Sequence, residues 1–113
     1  MKYNQFLREI EHSNLSKRGK EVIISYLEDI VPSISDTSRE IYFLKKEVCN
    51  YLFRALDESM REIAINLKRD SMDLIDTPDL YHGPSRLRER VAQELDGLAS
   101  VIESTIKPKT NKR

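Results

Sequence analysis

The longest stretch of the chain without glycine or proline runs from residue 33 to residue 77 and includes residues 37–69. Apolar side chains recur there every three or four positions, with an average spacing slightly above the 3.5 residues of a left-handed coiled coil. The row consists of Ile41, Leu44, Val48, Leu52, Leu56, Met60, Ile63 and Leu67. This spacing predicts one long, straight α-helix over about 37–69. A helix of about 33 residues spans about 50 Å.

The start of this segment carries a capping signature. Thr37 is followed three residues later by Glu40, so the hydroxyl and the carboxylate can each bind a free backbone N–H of the first turn. We therefore expect the helix to begin at Thr37 and to bury Leu52, Leu56 and Ile63.

Three shorter segments, 2–12, 16–31 and 84–107, also show helical spacing of apolar residues. Ser16 is a suitable N-cap for the second of them, and Gly97 in the last one indicates a close helix crossing. The sequence predicts an all-α, single-domain antiparallel helical bundle of about four helices over residues 1–107, built on the long central helix. Residues 108–113 are predicted to be a flexible basic tail.

Charge and cysteine content exclude several classes of protein. Lys+Arg and Asp+Glu number 19 each, so no net charge attracts the whole molecule to polyanions. The single cysteine excludes a disulfide framework. No apolar run approaches the ~18 residues that a membrane span needs. We expect a soluble cytoplasmic protein with no membrane partner.

The sequence contains no hydrolase, metalloprotease or nucleotide-binding motif, so we expect no catalytic residue, no cofactor and no metal ligand. Asp70, Asp73, Asp76 and Asp79 recur every three residues, which is not the spacing of an EF-hand and is explained by helix capping and loop solubility. One enzymatic alternative stays open. Arg69 and His82 could serve a metal-independent ribonuclease, with His82 as general acid–base and Arg69 on the phosphate.

A second alternative is a nucleic-acid-binding regulator. Residues 84–113 carry seven basic and four acidic groups, a net charge of +3. The candidate contacts are basic residues near the second helix and in the last one: Lys17, Arg18, Lys20, Arg86, Arg88 and Arg90. DNA-reading proteins usually show a stronger basic stripe than this one.

The favoured interpretation rests on the polar side of the long helix. Phe43 and Ile65 lie there among charged residues that include Arg54 and Arg61, and their separation of about six turns aligns them on a straight helix. Either a neighbouring helix covers each of them, or they belong to an interface with another chain. We expect a non-catalytic protein of the inhibitor, immunity, antitoxin or regulatory-adaptor type, which binds another macromolecule and forms a homodimer.

Overall fold

Every regular element is helical in the computed structural model, which describes residues 2–30, 38–81, 83 and 85–106. The α-helices are α1 (Tyr3–Glu11), α2 (Lys17–Glu28), α3 (Ser38–Arg54), α4 (Met60–Asp76) and α5 (Arg88–Ile106), with 3₁₀ turns at Pro78–Leu80 and Ser85–Leu87. The all-α bundle is confirmed, with five α-helices in the described residues where about four were expected. The predicted cap at Thr37 and the tail over 108–113 lie outside these residues.

The prediction of one continuous helix over about 37–69 is wrong, because the chain turns between Arg54 and Met60. The N–H of Ala55 donates to Leu52 O at 3.0 Å and that of Glu58 donates to Ala55 O at 3.0 Å, so the end of α3 tightens into three-residue turns. Ser59 then caps a new helix, since its side chain accepts a hydrogen bond from the Glu62 N–H at 3.2 Å.

The apolar row continues through this turn without losing its burial. Leu52 on α3, Leu56 in the turn and Ile63 on α4 expose only 1%, 8% and 0% of their surface. The prediction that these three residues are buried is therefore confirmed, although they belong to two helices and the turn between them. The turn therefore changes the path of the backbone without exposing these three residues.

Helices α4 and α5 form the most extensive pair in the bundle and run antiparallel. The hydroxyl of Ser71, buried between them, donates to Ala92 O at 2.6 Å. Arg88 at the start of α5 donates to Leu74 O at 2.6 Å and so binds a free carbonyl at the end of α4. These two contacts fix the register of the pair.

Helix α2 crosses α5 closely, as Gly97 predicts. A Cβ atom at Gly97 would collide with the hydroxyl of Tyr26, which donates to a carboxylate oxygen of Glu94 at 2.7 Å. The predicted N-cap of α2 is also present, since the Ser16 side chain accepts a hydrogen bond from the Gly19 N–H at 3.0 Å.

Candidate functional site

The four residues predicted to form one partner interface lie on two separate helices. Phe43 and Arg54 belong to α3, whereas Arg61 and Ile65 belong to α4, beyond the turn. Phe43 and Ile65 would be aligned on a single continuous helix, but the turn between α3 and α4 removes that alignment. Each pair therefore has to be considered as part of its own surface.

Phe43 and Arg54 line a groove of about 430 Å³ beside α3, closed on its far side by the segment after α4. The groove is lined by Phe43, Glu47, Asn50, Tyr51, Phe53, Arg54, Tyr81 and Gly83. A second hollow continues from it through Tyr51 and Arg54 to Asp70, Asp73 and Leu74 on α4. Among the described residues, no Ser, Thr, Cys or His lines either part. We call this combined surface the α3 groove.

Arg54 is the central charge of the α3 groove. Its guanidinium lies 5.0 Å from the ring centre of Tyr51, within cation–π range. No carboxylate in the described part of the chain forms a salt bridge with it. Burial raises the pKa of the Asp70 carboxyl, and the positive charges of Arg69 and Arg54 oppose that rise. Arg54 thus lies near acidic groups of the groove without forming a salt bridge to a described carboxylate.

The aromatic wall of the α3 groove is partly buried. Burial, together with the charge of Glu47, raises the pKa of Tyr81 to about 12. The Tyr81 hydroxyl is enclosed and has no hydrogen-bond partner among the described residues. A Cβ atom at Gly83 would stand 2.7 Å from Cζ of Phe43 and 2.5 Å from the Tyr81 hydroxyl, so these side chains pack closely. Phe43 is therefore half covered by Tyr81 and Gly83, which belong to the segment after α4.

Arg61 and Ile65 lie on the outward side of α4, where three large apolar side chains are exposed to solvent. Ile65, Met72 and Ile75 expose 53%, 63% and 52% of their surface. With Lys68 between them they occupy positions 65, 68, 72 and 75, and the alternation of three and four residues places all four on one side of the helix. We call these four residues the outer row of α4.

An acidic edge borders the outer row on the side of α5. Nζ of Lys68 forms a salt bridge with Glu103 Oε1 at 2.9 Å, and this contact raises the pKa of Lys68. The negative charge of Asp96 acts on Lys68 in the same direction. Glu89 lies seven residues before Asp96, two turns away on the same side of α5. We call Glu89, Asp96 and Glu103 the acidic edge of α5.

The residues predicted to contact nucleic acid do not converge on one described surface. Lys20 donates to Glu11 O at 2.7 Å and binds the end of α1, and Arg88 binds the end of α4. Lys17 and Arg18 are exposed at the start of α2, and Arg90 is half-buried on α5. The side chain of Arg86 lies outside the described residues. The nucleic-acid contact stays a prediction.

The structure describes only some of the residues considered for chemistry. Arg69 is exposed and donates to Oδ1 of Asn66 at 2.6 Å, while His82 lies outside the described residues, so the pair remains an untested hypothesis. Over the described residues, no three His, Cys, Asp or Glu side chains form a group that could hold a metal ion. Cys49 is 1% exposed in the core, and burial raises the pKa of its thiol to about 12.

No helix in the described part of the chain is long and apolar enough to cross a membrane. The fold thus defines a helical bundle with two candidate surfaces, the α3 groove and the outer row of α4. Comparison with known proteins finds no matching family model, no similar curated protein and no similar solved structure. A function therefore has to be inferred from the geometry of these surfaces.

Proposed function

We propose that this protein is a small, non-catalytic helical protein that binds another protein through the outer row of α4. The observation that carries the proposal is the exposure of Ile65, Met72 and Ile75, each more than half open to solvent and all on one side of one helix. Large apolar side chains exposed together on one side of a helix are characteristic of sites where proteins associate.

The inward side of α4 strengthens this interpretation. Ile63, Leu67 and Leu74 are at most 2% exposed, so the core already has its own apolar row on this helix. The outer row is additional apolar surface that does not contribute to the packing of the described bundle. An inhibitor, immunity protein, antitoxin or regulatory adaptor needs such a surface and needs no catalytic group.

Two further expectations belong to the same proposal. Homodimerisation remains a prediction. A single helix of about 50 Å would extend past its shorter neighbours and favour a dimer, but α3 and α4 are two separate helices. A cytoplasmic location also belongs to the proposal.

The proposal is tested by site-specific photo-crosslinking in the cells that make the protein. A photoreactive amino acid replaces Met72 in one variant and Glu9, an exposed residue of α1, in the control. We expect a discrete adduct from position 72 only. The partner is then identified by mass spectrometry and purified, and its affinity for the wild type and for Ile65→Lys is measured by calorimetry.

The Ile65→Lys variant should bind the purified partner at least about tenfold more weakly, because a charge at the centre of an interface loses its hydration. Equal affinities, or adducts that form equally well from position 9, would contradict the proposal. Circular dichroism of each variant checks that the helices remain folded.

A further inference from the structure

The borders of the outer row define the kind of partner that it fits. On the α5 side lies the acidic edge, with Glu89 and Asp96 exposed and Glu103 partly exposed. On the opposite side of the row, α4 presents Glu62, Asp73 and Asp76, all exposed. The apolar row therefore lies between two borders that are rich in carboxylates.

Four basic residues partly offset these acids. Lys68 is already paired with Glu103, and Arg69 is hydrogen-bonded to Asn66. Arg61 is exposed near the start of α4. Arg88 donates to the carbonyl oxygens of Leu74 and Ile75 at the end of the row. The surface around the row thus carries six acidic and four basic side chains, so it is net negative even though the whole chain is neutral. A docked partner has to supply positive charge on both sides of an apolar stripe.

The shape of the surface favours a helix as that partner. The outer row alternates three and four residues, which is the spacing that packs against a second helix in a coiled-coil-like contact. From Ile65 to Ile75 the row is about 15 Å long, at the 1.5 Å rise per residue of an α-helix. A partner helix of about three turns covers this length.

We infer that the outer row of α4, together with the acidic edge of α5, binds a basic amphipathic helix of a partner protein. The inference rests on the proposed function and names the chemistry of its partner. The apolar side chains of the partner helix pack on Ile65, Met72 and Ile75, and its Lys or Arg residues face the carboxylates on both borders. A second copy of this chain fits less well. In a symmetric dimer the same net-negative surface of each copy would face the other, and like charges across an interface repel.

The test uses two synthetic 18-residue helical peptides that share the same leucine positions. One peptide carries lysine on both flanks of its apolar stripe, and the other carries glutamate there. Fluorescence anisotropy measures the binding of each peptide to the full chain at low and at high salt. We expect the basic peptide to bind at least about tenfold more tightly than the acidic one, with the difference shrinking as salt is added.

Two variants assign this binding to the surface. Met72→Asn removes apolar contact without adding charge, and it should weaken the binding of the basic peptide about tenfold. The double variant Asp96→Lys, Glu103→Lys should abolish the preference for the basic peptide. A matched control, Glu9→Lys with Glu21→Lys, makes the same charge change at exposed positions of α1 and α2 and should keep the preference.

Several outcomes would overturn the inference. They are equal binding of the two peptides, unchanged binding in Met72→Asn, and an equal loss of preference in the control. A dimer in sedimentation equilibrium that dissociates in Met72→Asn would show that a second copy occupies the row. If a natural partner crosslinks at position 72 while the basic peptide does not bind, the inferred chemistry is wrong and the proposed function stands. If neither occurs, both fail.

Discussion

The two sides of α4 carry the same kinds of side chain in opposite surroundings. The inner row of Ile63, Leu67 and Leu74 is at most 2% exposed, whereas Ile65, Met72 and Ile75 on the outer row are at least 52% exposed. The inner residues lose contact with water when the chain folds, so they stabilise the bundle. The outer residues gain little by folding alone, and their apolar surface is left for association.

The largest predicted contrast lies within this one helix. Leu67→Ala should lower the free energy of unfolding by about 2–5 kcal/mol, through lost burial and the cavity left behind. Ile65→Ala should change it by less than about 0.5 kcal/mol, as at other surface positions. Urea denaturation of both variants checks the contrast. Similar losses in the two variants would mean that the outer row is packed in the free protein.

The second contrast separates the two residues that the sequence placed in one interface. Phe43 is half covered by the segment that contains Tyr81 and Gly83, so Phe43→Glu should cost about 1–3 kcal/mol by introducing a charge into a packed site. Ile65→Lys should leave the melting temperature nearly unchanged. If Phe43→Glu has the same melting temperature as the wild type, the α3 groove is packed less tightly around Phe43 than the close contacts indicate.

The third prediction tests the break that separates α3 from α4. Ser59 caps α4, so Ser59→Ala should destabilise the protein by about 1 kcal/mol through loss of the cap. In a continuous helix the same change would stabilise the protein, because alanine is the better helix former. The sign of the shift in thermal denaturation therefore distinguishes the two backbones.

This break shows where sequence reasoning was sufficient and where it was not. The fold class follows from local spacing, since apolar residues three and four apart define a helix side whatever its neighbours are. The turn was missed because the apolar row passes through it: Leu56 is buried within the turn and Met60 packs on the core just after it. The signature Ser59-x-x-Glu62 was present in the sequence and indicates a helix start.

The candidate surface was only partly predictable. Ile65 was identified as an apolar residue on a polar side. Met72 and Ile75 lie beyond residue 69, where the predicted helix ended, whereas α4 continues to Asp76. The acidic edge of α5 could not be found from spacing alone. Its position beside the row depends on how α4 and α5 pack, which the Lys68–Glu103 contact reveals.

The smallest expected effect concerns that salt bridge. Both side chains are about two-fifths exposed, and surface pairs of this kind contribute little to folding. Glu103→Gln should leave the melting temperature unchanged within error. It should weaken the binding of the basic peptide by a few-fold, because it removes one negative charge from the acidic edge of α5. A clear loss of thermal stability would assign Glu103 to the fold instead of the partner.

The most direct test of the central claim is a nitrogen-15 NMR titration of the full chain with the basic helical peptide. We predict that the largest amide shifts fall on Arg61–Asp76 and on the acidic edge of α5, with little change in α1 and around Phe43 and Arg54. Shifts centred on the α3 groove, or no saturable shifts at any peptide concentration, would contradict the assignment of binding to the outer row of α4.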